Sequence, residues 1–142
     1  MIPLSSPDIT DVERKAVQDV LKTSVLSLGP QIKAFETALA KFAARKYAIA
    51  VNSGTSGLHL IIRALGIGSG DEVITTSFSF IASANAMLFE GARPVFVDIE
   101  KDTFNIDPAK VEQAITKRTK AILAVDVFGQ PADWDKILAI AK

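Results

Sequence analysis

The sequence contains no cysteine and only one histidine. It therefore has no disulfide framework, no thiolate metal site and no metal-ligand spacing anywhere along the chain. Charge of one sign is not in excess: 16 basic residues balance 16 acidic ones, with no run of like charge. That argues against nucleic acid or a membrane surface as a partner. The N-terminus lacks a basic-then-apolar leader, and no apolar run is long enough to span a bilayer. A soluble, cytoplasmic protein is expected.

What is abundant is apolar. Of 142 residues 49% are hydrophobic, enough for the core of one domain and too many for low-complexity disorder. The chain is organised around residues 48–58, where a short apolar run passes through Asn52-Ser53-Gly54-Thr55-Ser56-Gly57 into a helical pattern. Residues 48–51 read as a buried strand. Leu58, Ile61, Ile62 and Leu65 then recur at helical spacing up to Gly66. Free N–H groups and the positive end of a helix dipole make such a junction an anion site, and the hydroxyls of Ser53, Thr55 and Ser56 add donors. The junction reads as a phosphate cradle; the alternative is an ordinary strand-to-helix turn with a Ser/Thr cap. It is neither a GxGxxG nor a GxxxxGK[ST] loop.

Two helices are expected ahead of this junction. Thr10 and Glu13 form a capping-box pattern, followed by an apolar stripe from Ile9 through Val12, Ala16, Val17, Val20 and Leu21. Pro30 suits the first turn of the second helix, with Ile32, Phe35, Ala38, Leu39 and Phe42 as its buried face. Residues 1–46 thus form an N-terminal helical arm. From Tyr47 strands and helices alternate: strands at 72–76, 94–98 and 121–125, helices at 81–90, 108–116 and 133–142. That rhythm implies an α/β fold with a mostly parallel sheet and helices on both faces, ligands binding beyond the carboxyl ends of the strands. The turns at 52–57, 75–80 and 126–130 then share one rim. The chain ends within a helical pattern, as the front part of something longer would.

Several side chains on that rim have two readings. Phe80 could stack on a planar ring or pack in its loop. Asn52 could orient a ligand or make an Asx turn. Asp126 and Gln130 could contact a ligand or close their turn. His59 reads as a packed or surface residue rather than a catalyst. Asp98, Glu100 and Asp102 read as a solvated turn rather than an acid–base pair.

The motifs Gly29-Pro30 with Phe35-Glu36, Asn52 to Leu58, Phe78-Ser79-Phe80-Ile81-Ala82-Ser83-Ala84-Asn85-Ala86, Pro94 to Ile99, Phe104-Asn105-Ile106-Asp107-Pro108 and Phe128-Gly129-Gln130-Pro131-Ala132-Asp133 occur in that order. Together with the opening from Ser5 to Glu13, they resemble the DegT/DnrJ/EryC1/StrS aminotransferases, pyridoxal-phosphate enzymes of fold type I that act on nucleotide-linked keto-sugars. The resemblance implies that Gly54, Thr55 and Ser56 hold the cofactor phosphate, that Phe80 stacks on the pyridine ring, and that Asn52 and Gln130 lie near the cofactor or sugar. It implies an amino-acid donor, usually glutamate, and a homodimer with shared active sites. It also places the Schiff-base lysine and the aspartate paired with the pyridinium nitrogen beyond Lys142; Lys41, Lys46 and Lys120 do not stand in a matching context. Residues 47–142 would then be the front part of the cofactor-binding large domain, inactive in transamination by themselves. Some members of the family use the same cofactor as dehydratases. The alternatives are a non-catalytic phosphate- or nucleotide-binding α/β module, which would need the cradle but not Phe80, and a remnant without activity.

Overall fold

The computed structural model describes residues 6–142, so Ser5 of the matching opening lies outside the described residues. The chain divides into two compact units, Met1–Ala50 and Val51–Lys142.

In the first unit, helix α1 (Asp11–Leu21) starts at the expected capping box. The Thr10 hydroxyl accepts the Val12 N–H at 3.2 Å, and Glu13 accepts the Thr10 N–H at 2.7 Å. Helix α2 (Pro30–Phe42) has Pro30 in its first turn, where no intrahelical N–H is needed. Its expected buried face is not buried. Ile32, Phe35, Leu39 and Phe42 are exposed, and only Ala40 is enclosed. Two short helices present too little apolar surface to bury one another's stripes. Residues 48–51 are likewise not a strand. A strand needs a neighbour for its N–H and C=O groups, and none runs beside these residues among those described. The Ala50 N–H is taken instead by the Glu36 carboxylate at 2.9 Å.

The second unit holds a three-stranded parallel sheet in the order β2-β1-β3: β1 (Glu72–Thr76), β2 (Arg93–Val97) and β3 (Thr119–Ile122). Three strands thus stand where four were expected. β1 is central and buried at every position. Successive strand residues point to opposite faces, and Val73 and Ile74, both 0% exposed, head two separate cores. Val73 packs with Ile62 of α3 (Gly54–Ala64) and with Ala86 and Met87 of α4 (Ala82–Leu88). Ile74 packs with Val111 of α5 (Pro108–Ala114) and Ile137 of α6 (Trp134–Ile140). Helices therefore cover both faces of the sheet, as the alternation predicts.

The helix ends follow the sequence chemistry. Asp107 caps α5 by accepting the Ala109 N–H at 2.9 Å, and Asp133 caps α6 by accepting the Lys136 N–H at 3.1 Å. Gly66 ends α3 at φ 68°, a backbone state that favours glycine, and the Ile67 N–H closes the cap on Ile62 O at 3.2 Å. At the N-terminal edge of the sheet the Glu72 carboxylate, 1% exposed, accepts from Thr116 Oγ1 at 2.6 Å and Arg118 Nε at 2.8 Å, and pairs with Arg93. The Thr116 hydroxyl, then the two guanidinium groups, hold its pKa down to about 2. No helix among the described residues is long and apolar enough to cross a membrane.

Candidate functional site

Parallel strands end on one edge, so the loops that follow β1 and β3 emerge side by side. The β1–β3 ladder extends one residue past β3: the Leu123 N–H donates to Ile74 O at 2.8 Å, and Thr75 Oγ1 donates to Leu123 O at 2.9 Å. Beyond it the chain opens into a cavity of about 390 Å³ lined by residues 77–80 and 125–128. A second cavity of about 270 Å³ shares Ser77, Ser79 and Phe80 and reaches Ile81, Ala84 and Phe96. Phe80 belongs to both and is 76% exposed, so packing does not account for its ring.

The junction at Ser53 is a capped helix start. Ser53 Oγ accepts the Ser56 N–H at 3.1 Å and donates to Ser56 Oγ at 3.0 Å. The capping alternative is therefore realised, by Ser53, and α3 begins at Gly54 rather than at Leu58. Capping satisfies one donor only. The N–H groups of Gly54 and Thr55 have no partner among the described residues, and they sit at the positive end of an 11-residue helix. A Cβ added at Gly54 would meet nothing within 4 Å, and its φ lies outside the left-handed region. Neither packing nor backbone conformation requires glycine there. Thr55 and Ser56, the next residues of the helix start, are half-buried. Gly54, Thr55, Ser56, Asn52 and Gln130 do not line the cavity bounded by Phe80. Asn52 and Gln130 are exposed, and neither side chain makes a hydrogen bond among the described residues, so the Asx turn at Asn52 is not formed.

Asp126 closes its own turn: Oδ1 accepts the Ala132 N–H at 2.9 Å and Trp134 Nε1–H at 3.1 Å. His59 is half-buried between α3 and α4, with Nε2 2.5 Å from Glu90 Oε1 and its ring edge-on to Phe89. Asp98 caps the Ile99 N–H at 2.8 Å and Glu100 accepts from Thr103 Oγ1 at 2.8 Å, which makes them turn residues.

The structure also singles out Asn105, which carries no role in the sequence reading beyond its place in a motif. It is 1% exposed, and its amide reaches across to the loop after β3. Nδ2 donates to Gln130 O and Pro131 O, each at 3.0 Å, and Oδ1 accepts the Val127 N–H at 3.0 Å. In that loop, the single 3₁₀ turn Val127–Gly129, Phe128 is held at φ 53°. The ring of Phe78 packs against Phe128 and Phe104, with centroids 6.2 and 5.7 Å away. An asparagine between Phe104 and Ile106, just ahead of an Asp-Pro helix start, looks like any turn former; only contacts 22 to 26 residues distant mark it out.

The chain is 47% identical over 141 residues to the spore coat polysaccharide biosynthesis protein SpsC of Bacillus subtilis, covering 99% of this chain and 36% of that one. It is 46% identical over 142 residues to the GDP-perosamine synthase of Caulobacter vibrioides, covering 99% and 38%. A protein of Streptococcus pneumoniae solved in its PMP form superposes with a TM-score of 0.93 at 40% identity, covering 98% and 35%, and has also been solved in a PLP form. The chain thus spans a little over a third of the length of these relatives. The parallel sheet with helices on both faces matches that of fold type I pyridoxal-phosphate aminotransferases. Residues 7–142 match the model of the DegT/DnrJ/EryC1/StrS aminotransferase family, and the chain belongs to that family.

Proposed function

We propose that this chain is the cofactor-binding front part of a pyridoxal-phosphate-dependent aminotransferase that acts on a nucleotide-linked keto-sugar, with glutamate as amino donor. On this reading residues 47–142 belong to the large domain and residues 1–46 form a helical arm. The Schiff-base lysine lies beyond Lys142, and the enzyme works in the cytoplasm as a homodimer. The similarity to a perosamine synthase supports the sugar substrate; the PLP and PMP forms of a relative support the cofactor.

The observation that carries the proposal is the pair of N–H groups at Gly54 and Thr55 that have no partner among the described residues, together with the open space over Gly54. These groups fit a phosphate: two amides, a helix dipole and the hydroxyls of Thr55 and Ser56 offer donors only where an anion must approach the backbone closely. When bound, pyridoxal phosphate supplies a conjugated ring that takes up the electron pair released at the reacting carbon. The chain's own part is to grip and orient. The amides anchor the phosphate, Phe80 lies along the ring face, and Asn52 and Gln130 offer free amide side chains to the sugar or cofactor. Titration of the chain with pyridoxal phosphate and with unphosphorylated pyridoxal, followed by absorbance, tests this. The proposal requires the phosphorylated form to bind at least about tenfold more tightly, since charge-assisted hydrogen bonds contribute about 1.5–3 kcal/mol each. Equal affinity for the two would refute it.

A further inference from the structure

We infer that Asn105 is a positioning residue for the proposed site: its buried amide fixes the loop 126–131 that forms one wall of the Phe80 cavity. The inference rests on the cofactor reading for what the cavity holds, but not for how its wall is set. Residues 125–128 line the cavity opposite 77–80. Nothing in that loop is part of the sheet, and one of its residues, Phe128, occupies a left-handed backbone state disfavoured for side chains with a Cβ. Such a conformation persists only if other contacts hold it. Asn105 supplies three of them, and both hydrogens of its amide nitrogen are used.

Asn105 is itself held rigidly. Its N–H donates to Thr103 Oγ1 at 3.2 Å, and its C=O accepts the Glu100 N–H at 2.9 Å. Ile99 and Ile106 bridge across the same turn, and the Ile106 side chain is fully buried in the core beneath. Asp126 adds a second tie at the far end of the loop, through Ala132 and Trp134. The connector between β2 and α5 thus acts as a bracket. It transmits the position of the core to a cavity wall that has no ladder of its own.

The test compares Asn105→Ala and the milder Asn105→Ser with Ile67→Ala, a core truncation away from the loop, in the full chain. Two quantities are measured for each: hydrogen exchange at the Val127 amide, and affinity for pyridoxal phosphate. Positioning predicts that both Asn105 variants lose Val127 protection while β1 amides stay protected. It also predicts that their affinity falls about tenfold or more, and that Ile67→Ala keeps both despite a similar loss of thermal stability. Retained Val127 protection, or an affinity loss no larger than that of Ile67→Ala, would overturn the inference. So would failure of both variants to fold, because Asn105 would then hold the fold and not the cavity. If the unsubstituted chain does not bind pyridoxal phosphate, the cofactor reading fails by itself, and the exchange comparison still decides whether Asn105 sets the loop.

Discussion

Gly54 is the residue whose identity the fold least explains. Its backbone is ordinary and its would-be Cβ faces open space, so an alanine there should cost the folded chain nothing. We expect Gly54→Ala to leave the urea midpoint unchanged within about 0.5 kcal/mol of stability, yet to weaken pyridoxal phosphate about tenfold by blocking close approach to the Gly54 and Thr55 amides; parallel unfolding and binding titrations check this. Phe80 makes the complementary case. Its ring is exposed, and on the proposed function it would contribute face contact rather than charge. Phe80→Ala should lower affinity for pyridoxal phosphate about two- to thirteenfold, given about 0.5–1.5 kcal/mol for an aromatic stack. It should leave inorganic phosphate binding almost untouched. A phosphate-binding module without a ring cofactor would show no such difference.

At the scale of elements, the central strand and the helices on either side were legible because their signals are local. The stretch 72–76 is short, apolar in the middle and bounded by glycine-rich and polar turns, and it emerges as β1. Met87 lies on the α4 face that packs against Val73 and is fully enclosed. Truncation by Met87→Ala should cost about 2–5 kcal/mol by transfer and cavity terms, read as a lowered urea midpoint with unchanged slope. What was not legible depends on partners. Residues 48–51 have a strand's composition, but a strand exists only beside another strand, and Ala50 finds a carboxylate instead. The apolar stripe of α2 has correct helical spacing, and spacing cannot say what covers it; Phe42 is 90% exposed. Within the site, the Ser53 cap and the rim position of Phe80 follow from local pattern. The bracket made by Asn105 does not, since its three partners lie on a different loop.

At the scale of the whole molecule, the two edges of the sheet do different work. The carboxyl edge carries the cavity and the loops around it. The opposite edge carries Glu72, which ties β1 to β2 through Arg93 and to the start of β3 through Thr116 and Arg118. The Glu72 pKa falls from an ordinary 4.5 to about 2 on folding. Its stabilising contribution is therefore complete above pH 4.5 and is lost as pH falls toward 2. Urea unfolding of the chain between pH 6 and pH 2 should show stability declining below pH 4.5, and Glu72→Gln should flatten that decline while lowering stability at pH 6. A parallel pH profile in the variant would mean that Glu72 is not the titrating group. On the proposed function, the start of α3 grips the phosphate of a flat cofactor whose ring meets Phe80. Amide NMR of the chain titrated with pyridoxal phosphate addresses it most directly. The account predicts the largest shifts at Gly54 and Thr55, with a second set at residues 77–80. Binding that leaves Gly54 and Thr55 unshifted would contradict it.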